Sequence, residues 1–148
     1  MTLEKFQEQA ALIMANPSLS DKQQEKKIIQ LADITRFIEK YNPDLHIVDY
    51  TTPVNVVQRE GKRYGILFCD SKILFESQNN DVFLANPYTL EMSKRALAIQ
   101  ELWLVFVEDQ CHMSLKPFLS FLEKNTLNTL YDKIFFLNYF QSVIHELK

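Results

Sequence analysis

In the last third of the chain the pattern of hydrophobic residues changes from that of a strand to that of a helix, and this change then occurs a second time. It constrains the fold more than any other feature. Residues 102–107 (LWLVFV) form an unbroken apolar run typical of a buried strand, and residues 115–124 have the spacing of an amphipathic helix. Residues 134–137 (IFFL) form a second apolar run, and residues 139–147 have apolar positions spaced for a closing helix. This β-α-β-α order predicts two parallel strands joined by a crossover helix.

Two helices are predicted near the amino terminus. The first covers residues 3–15 and carries one apolar stripe, made of Leu3, Phe6, Ala10, Ile13 and Met14. Ser20 and Gln23 have the spacing of a capping box, in which each side chain bonds the backbone N–H of the other residue. They therefore predict the start of a longer helix over residues 21–41.

The middle of the chain predicts an antiparallel meander of three strands. Residues 45–50 alternate, residues 54–59 form the second strand and residues 62–69 the third. Glu60-Gly61 is a two-residue hairpin connection between the last two strands, with glycine supplying the positive φ that a primed turn needs.

The following segment predicts two more short strands and a helix. The strands cover residues 72–76 and 82–85, and Asn86-Pro87 supplies a cap and a first-turn proline for a helix over residues 87–100. The sequence thus predicts an α/β (mixed α+β) single domain over residues 1–148. It consists of two N-terminal helices, an antiparallel three-strand meander and a β-α-β-α unit with parallel strands.

The composition limits both the possible folds and the possible functions. The 148 residues are 47% hydrophobic, enough for one packed core, and the two glycines cannot form a glycine-rich phosphate cradle. A net charge of −3 provides no overall positive field for nucleic acid. The sequence shows neither a signal-peptide pattern nor an apolar stretch long enough to span a membrane, so we expect a soluble cytoplasmic protein.

The two cysteines predict neither a zinc site nor a disulfide framework. Cys69 and Cys111 are too few and too far apart for either. Cys69 lies in an apolar strand run and is expected to be a buried small hydrophobe.

Carboxylates and a lysine near the meander form the first candidate site. Asp70-Ser71-Lys72 has the form D-x-K, and Asp49 and Glu76 are further acids that strand pairing could bring close. Together with the element order and the Glu60-Gly61 hairpin, this string resembles the PD-(D/E)XK nuclease-like fold over roughly residues 20–148. The resemblance implies a divalent metal, Mg²⁺ or Mn²⁺, that is bound by the acids and positions water against a phosphodiester.

The sequence departs from the family pattern at the motif itself. The position expected for the first acid reads Val54-Asn55, and the returning strand reads Leu67-Phe68-Cys69 where E-x-K is expected. Asp70-Ser71-Lys72 comes three residues later, where aspartate and serine also suit a turn at a strand end.

A second candidate site follows the apolar strand of residues 102–107. Glu108 and Asp109, together with Asp70, are the candidate metal ligands, and Cys111 and His112 follow at once. Ligands bind beyond the carboxyl ends of parallel strands in open α/β sheets, which makes the location favourable. A polar loop that leads to a helix cap at Ser114 is the alternative interpretation.

Two functions remain open on the sequence, beside the further possibility of a small-molecule site in the loop of residues 108–113. The first is a small non-catalytic interaction protein of the immunity-protein, chaperone or adaptor type, with a protein partner and no cofactor. The second is a nucleic-acid binding protein or metal-dependent nuclease on the PD-(D/E)XK-like fold, with Asp49, Asp70, Lys72 and Glu76 as its catalytic candidates.

Overall fold

The computed structural model describes residues 3–49, 54–70, 87–108, 130–139 and 141–148, which form three helices and one six-stranded mixed sheet. The helices are α1 (Leu3–Ala15), α2 (Asp21–Tyr41) and α3 (Pro87–Leu97). The strands are β1 (His46–Asp49), β2 (Asn55–Arg59), β3 (Lys62–Asp70), β4 (Glu101–Glu108), β5 (Lys133–Asn138) and β6 (Val143–Glu146).

The strands lie in the sheet in the order in which they occur along the chain. β1, β2 and β3 form the antiparallel meander, β4 and β5 are parallel to β3, and β6 is antiparallel to β5. The α+β class, the two N-terminal helices, the meander and the parallel strands are therefore confirmed.

Helices cover both faces of the sheet. α2 packs on one face, where Leu31, Ile34 and Phe37 share a core with alternate residues of the strands, and Phe37 contacts Trp103 and Phe135. α3 packs on the other face through Leu90. The two-residue period of the strands places their apolar side chains alternately in these two cores.

Local signals determine how the N-terminal helices begin and pack. Gln23 N donates to Ser20 Oγ over 3.2 Å and Ser20 N donates to Gln23 Oε1 over 2.9 Å, so the predicted capping box is present. Ile13 of α1 is buried as expected, whereas Met14, at the margin of the predicted stripe, is exposed.

The hairpin between β2 and β3 has the predicted turn. Glu60 and Gly61 both have positive φ, 52° and 79°, and Arg59 pairs directly with Lys62. Positive φ at both central residues is the requirement of the primed turn that matches strand twist.

The predicted closing helix is wrong, because residues 143–146 are the strand β6. Val143 pairs with Asn138 and Glu146 with Phe135, and the turn is closed by Gln141 N donating to Asn138 Oδ1 over 3.0 Å. Val143, His145 and Leu147 repeat every two residues, so the segment is compatible with a strand as well as with a helix. The edge of β5 supplies backbone hydrogen-bond partners to residues 143–146, and these partners favour the strand over the helix.

Helix α3 is shorter than predicted and ends at Leu97. Ala98 has a φ of 54°, Ala98 N donates to Arg95 O and Ile99 N donates to Lys94 O over 3.1 Å. This is a Schellman ending, with alanine in place of the usual glycine.

Three predicted elements lie outside the described residues. They are the helix over residues 115–124 and the short strands over residues 72–76 and 82–85. Within the part of the chain that is described, none of the helices combines the length and the hydropathy needed to cross a membrane.

Candidate functional site

The parallel strands β3, β4 and β5 end together at what we call the carboxyl edge of the sheet. Their last residues are Asp70, Glu108 and Asn138. The register pairs Asp70 with Val107 and Glu108 with Asn138, so the three strand ends are level to within one residue. Because ligands of open α/β sheets bind at this edge, it is the first place to look for a site.

Glu108 and Asn138 form a polar pair inside the carboxyl edge. Glu108 is only 1% exposed and Asn138 8% exposed, and the two are direct partners on neighbouring strands. The Asn138 side chain accepts from Gln141 N, and Glu108 O accepts from Tyr139 N over 2.9 Å. One backbone hydrogen bond therefore joins the end of β4 to the β5–β6 turn, and the buried Asn138 side chain closes that turn.

The register separates two of the four catalytic candidates. Asp49 on β1 is level with Val56 on β2 and Gly65 on β3, whereas Asp70 lies five residues further along β3. At 3.3–3.4 Å per residue the two positions are about 17 Å apart along the strand direction, with one strand between theirs. Asp49 and Asp70 therefore do not share one metal-binding site.

The remaining candidates lie outside the described residues; they are Lys72, Glu76, Asp109, Cys111 and His112. Within the described ranges, His, Cys, Asp and Glu do not gather into a group of three that could hold a metal ion.

Apolar side chains occupy the positions at which the nuclease-like resemblance implied the first acid and the glutamate and lysine of E-x-K. Val54, Leu67 and Cys69 are all buried in the core beneath α3, next to Leu90. The burial expected for Cys69 is confirmed.

Asn55, the other residue at the position expected for the first acid, faces α2. It is 1% exposed, its Nδ2 donates to Ile66 O over 3.2 Å, and its Oδ1 accepts from Gln30 Nε2 over 2.8 Å. The amide therefore joins α2 to the sheet.

The opposite edge, where the parallel strands begin, carries a row of alternating charges that we call the charge ladder. Its members are Lys62, Glu101, Lys133 and Glu146 on β3, β4, β5 and β6. Lys62 Nζ lies 2.7 Å from Glu101 Oε2, and Lys133 Nζ lies 2.7 Å from Glu146 Oε1. Sequence reasoning missed the charge ladder because its assembly depends on the strand order. The available signal was a charged residue at or near one terminus of each strand.

The ladder shifts the pKa values of its members. Burial alone raises the pKa of Glu101, but hydrogen bonds from Lys62 and Trp103, with the charges of Lys62 and Lys133, bring it below its ordinary value. The hydrogen bond and charge of Glu101 raise the pKa of Lys62, and the bond to Glu146 raises that of Lys133 despite partial burial. All three shifts stabilise the charged forms.

Aromatic rings lie directly beneath the charge ladder. Trp103 packs against Tyr64, Tyr41 and Phe135 at centroid distances of 4.5, 5.7 and 5.6 Å. The Lys62 ammonium lies 5.4 Å from the Tyr64 ring and that of Lys133 lies 6.0 Å from Trp103, both within cation–π range. The charge ladder thus covers the aromatic core, and we interpret the ladder as a structural feature.

The outer surface of α3 exposes two large side chains. Tyr88 is 72% and Met92 53% exposed, and they are at positions i and i+4, so they lie on one helix face. Arg95 is highly exposed, 3.5 Å from Glu91. We call Tyr88, Met92 and Arg95 the α3 surface. Their residue types are enriched in protein interfaces.

Comparisons with known proteins do not assign a function to this chain. No protein-family model matches the chain, and no curated protein is significantly similar to it.

Proposed function

We propose that this protein is a small non-catalytic interaction protein, of the immunity-protein, chaperone or adaptor type, that binds a partner protein. The observation that carries the proposal is the α3 surface, with two large apolar side chains exposed one helical turn apart. Leu90 anchors the other face of α3 in the core, so the surface is held on a supported element.

The chemistry of the α3 surface indicates the kind of partner. Tyr88 and Met92 suit an apolar patch, since tyrosine and methionine are enriched at interface centres. Lys94 and Arg95 lie in the last turn of the helix, and Arg95 reaches solvent. Both cations are paired within the fold, Arg95 with Glu91 and Lys94 with Asp132, so the matching partner presents chiefly an apolar patch.

The first test identifies a partner and then reconstitutes the complex. A tagged chain is purified from the cells that produce it, the co-purifying protein is identified, and both proteins are mixed in pure form. Tyr88→Ala and Met92→Ala are expected to weaken binding by about tenfold each, the range of central interface side chains. Leu12→Ala and Ile29→Ala are matched controls, because these residues are 65% and 54% exposed on other helices.

Two results would contradict this proposal. One is a strictly monomeric protein for which neither gel filtration nor pull-down finds a partner. The other is a reconstituted complex whose affinity responds equally to the α3 and the control substitutions.

The alternative function is nucleic-acid binding or metal-dependent nuclease activity at the carboxyl edge. The observation that favours it is the register, which brings Asp70 and Glu108 to neighbouring strand ends. Lys72, Glu76 and Asp109 follow these ends in the sequence. Asp70, with Glu76 or Asp109, would contribute carboxylates for Mg²⁺ or Mn²⁺, and Lys72 would stabilise charge on the phosphate.

A nuclease assay with Mg²⁺ or Mn²⁺ separates the alternative from the first proposal. Asp70→Asn is expected to abolish a genuine activity, whereas Asp44→Asn, in the exposed turn before β1, is not. Activity that persists unchanged in Asp70→Asn would remove the carboxyl edge from any catalytic role. The cytoplasmic location expected from the sequence remains a prediction for either function.

A further inference from the structure

Three side chains that can donate hydrogen bonds lie in one row across the meander. His46 pairs with Gln58 and Gln58 pairs with Arg63, so the three residues are neighbours on β1, β2 and β3. Directly paired residues lie on the same face of a sheet. Val56, two residues before Gln58, belongs to the core beneath α3, which places the row on that face and opposite to α2. We call His46, Gln58 and Arg63 the donor row.

The Arg63 guanidinium has no partner within the described residues. Its Nε is buried without a hydrogen bond, the only side-chain atom of the described ranges in that position. Glu60, the acid nearest to Arg63 in the sequence, is exposed in the hairpin turn, and the ion pairs of the described residues do not include Arg63. Buried N–H groups normally have a partner, so this one marks a position for a partner from solution.

The other members of the donor row are accessible to the same partner. His46 is exposed and Gln58 is partly exposed, as is Arg63 as a whole. In the part of the chain that the structure describes, neither the His46 nor the Gln58 side chain is engaged in a hydrogen bond or an ion pair. The glutamine amide offers two N–H groups and the imidazole at least one.

The backbone of Arg63 is held in place, so its side chain starts from a fixed position. Arg63 N donates to Gln100 Oε1 over 2.6 Å, and Gln100 N donates to Arg63 O over 2.9 Å. Neighbouring strands are about 5 Å apart, so a ligand above Gln58, the middle member, lies between His46 and Arg63.

The donor set indicates the class of ligand. A guanidinium binds an oxyanion through two parallel N–H groups. The two oxygens of a carboxylate would be bound by Arg63 alone, whereas a phosphate has further oxygens that can accept from the amide and the imidazole.

We propose that the donor row binds a phosphate group above Gln58. Arg63 donates to two of its oxygens, and Gln58 and His46 donate to the others. The donor row shares no residue with the α3 surface, so separate variants test the two proposals.

Nuclear magnetic resonance titration of the full chain with inorganic phosphate, against chloride at equal ionic strength, tests this proposal. We expect saturable shifts of the Arg63 Nε–H resonance and of the backbone amides of His46 and Gln58, with a Kd on the order of 1 mM. Acetate is expected to bind at least about tenfold more weakly.

A parallel titration with glycerol 3-phosphate distinguishes the two sources of a phosphate group. A lower Kd than that of inorganic phosphate would identify a phosphate ester as the ligand. An equal or higher Kd would identify the free ion.

Arg59 provides a matched control for Arg63. Both arginines belong to the β2–β3 hairpin, but Arg59 pairs with Lys62 and lies on the opposite face. Arg63→Gln is expected to raise the phosphate Kd at least about tenfold, whereas Arg59→Gln, with the same change of net charge, is expected to raise it less than about twofold. Arg63→Lys keeps the charge without the paired N–H groups and should recover only part of the affinity.

Three outcomes would overturn the proposal. The first is the absence of a saturable phosphate shift at Arg63 Nε–H, and the second is equal affinity for phosphate and acetate. The third is equal weakening by Arg63→Gln and Arg59→Gln. The first two measurements use the wild-type chain, so they decide the proposal even if Arg63→Gln does not fold.

Discussion

The two edges of the parallel strands differ in how their polar groups are used. At the amino edge the charge ladder pairs lysine with glutamate and closes the aromatic core beneath it. At the carboxyl edge Glu108 and Asn138 are buried, and Asp70 lies on the neighbouring strand. The difference teaches that exposed charges paired across strand ends cover the core beneath them, whereas a polar side chain buried at a strand end holds the adjacent turn. Substitutions at the amino edge should therefore act chiefly on stability, and the following measurements test that division.

The largest effect is expected for Trp103→Ala at the amino edge. Trp103 is buried among Phe37, Tyr41, Tyr64 and Phe135, so its removal should lower the free energy of unfolding by about 3–5 kcal/mol. Urea denaturation checks this value. Trp103→Phe, which retains a ring, should lose clearly less; equal losses would mean that ring packing is not what Trp103 contributes.

A smaller loss is expected for Gly65→Ala. An added Cβ would collide with Ile99 Cδ1 and lie 3.1 Å from Leu102 Cδ1, so we expect a loss of about 1–3 kcal/mol. Ile99→Val removes the Cδ1 atom, and the double variant should therefore lose less than the sum of the two single variants in thermal unfolding. Strict additivity would contradict the proposed collision.

Asn138→Ala tests the carboxyl edge. It removes the acceptor of Gln141 N in the β5–β6 turn and should lower the free energy of unfolding by about 1 kcal/mol. Asn138→Asp preserves an acceptor and should retain most of the stability in the same chemical denaturation. If Asn138→Ala changed partner or metal binding while leaving stability intact, the edge would have a functional role instead.

The smallest effect is expected for Glu101→Gln, at most about 1 kcal/mol near neutral pH, because the ladder is partly exposed and screened. The pKa of Glu101 is lowered in the folded state. Its contribution is therefore complete above the ordinary value of 4.5 and is lost as the pH falls through the folded value. The pKa values of Lys62 and Lys133 are raised, so their contributions are complete below 10.5 and are lost at higher pH.

Stability curves of the wild type and of Glu101→Gln check this dependence. The difference between them should be constant from neutral pH down to about 4.5 and then shrink in acid. High salt should also reduce it. Glu39→Gln, in an exposed pair within α2, is the control and should show little difference; a difference that grows in acid would contradict the assigned shift.

The sequence by itself determined the elements whose signals are local. The capping box of Ser20 and Gln23 fixed the start of α2, and Glu60-Gly61 fixed the hairpin and hence the register of β2 on β3. The apolar runs around Trp103 and Phe135 predicted two buried parallel strands, because only a strand covered on both faces is apolar throughout.

Only the tertiary structure decided what depends on neighbours distant in the chain. Residues 143–146 fit a strand and a helix alike, and the unpaired edge of β5 selected the strand by satisfying their backbone groups. The same strand order assembled the charge ladder from residues up to 84 positions apart, Lys62 to Glu146, and separated Asp49 from Asp70. Sequence spacing cannot encode such distances, because they are set by which strands lie side by side.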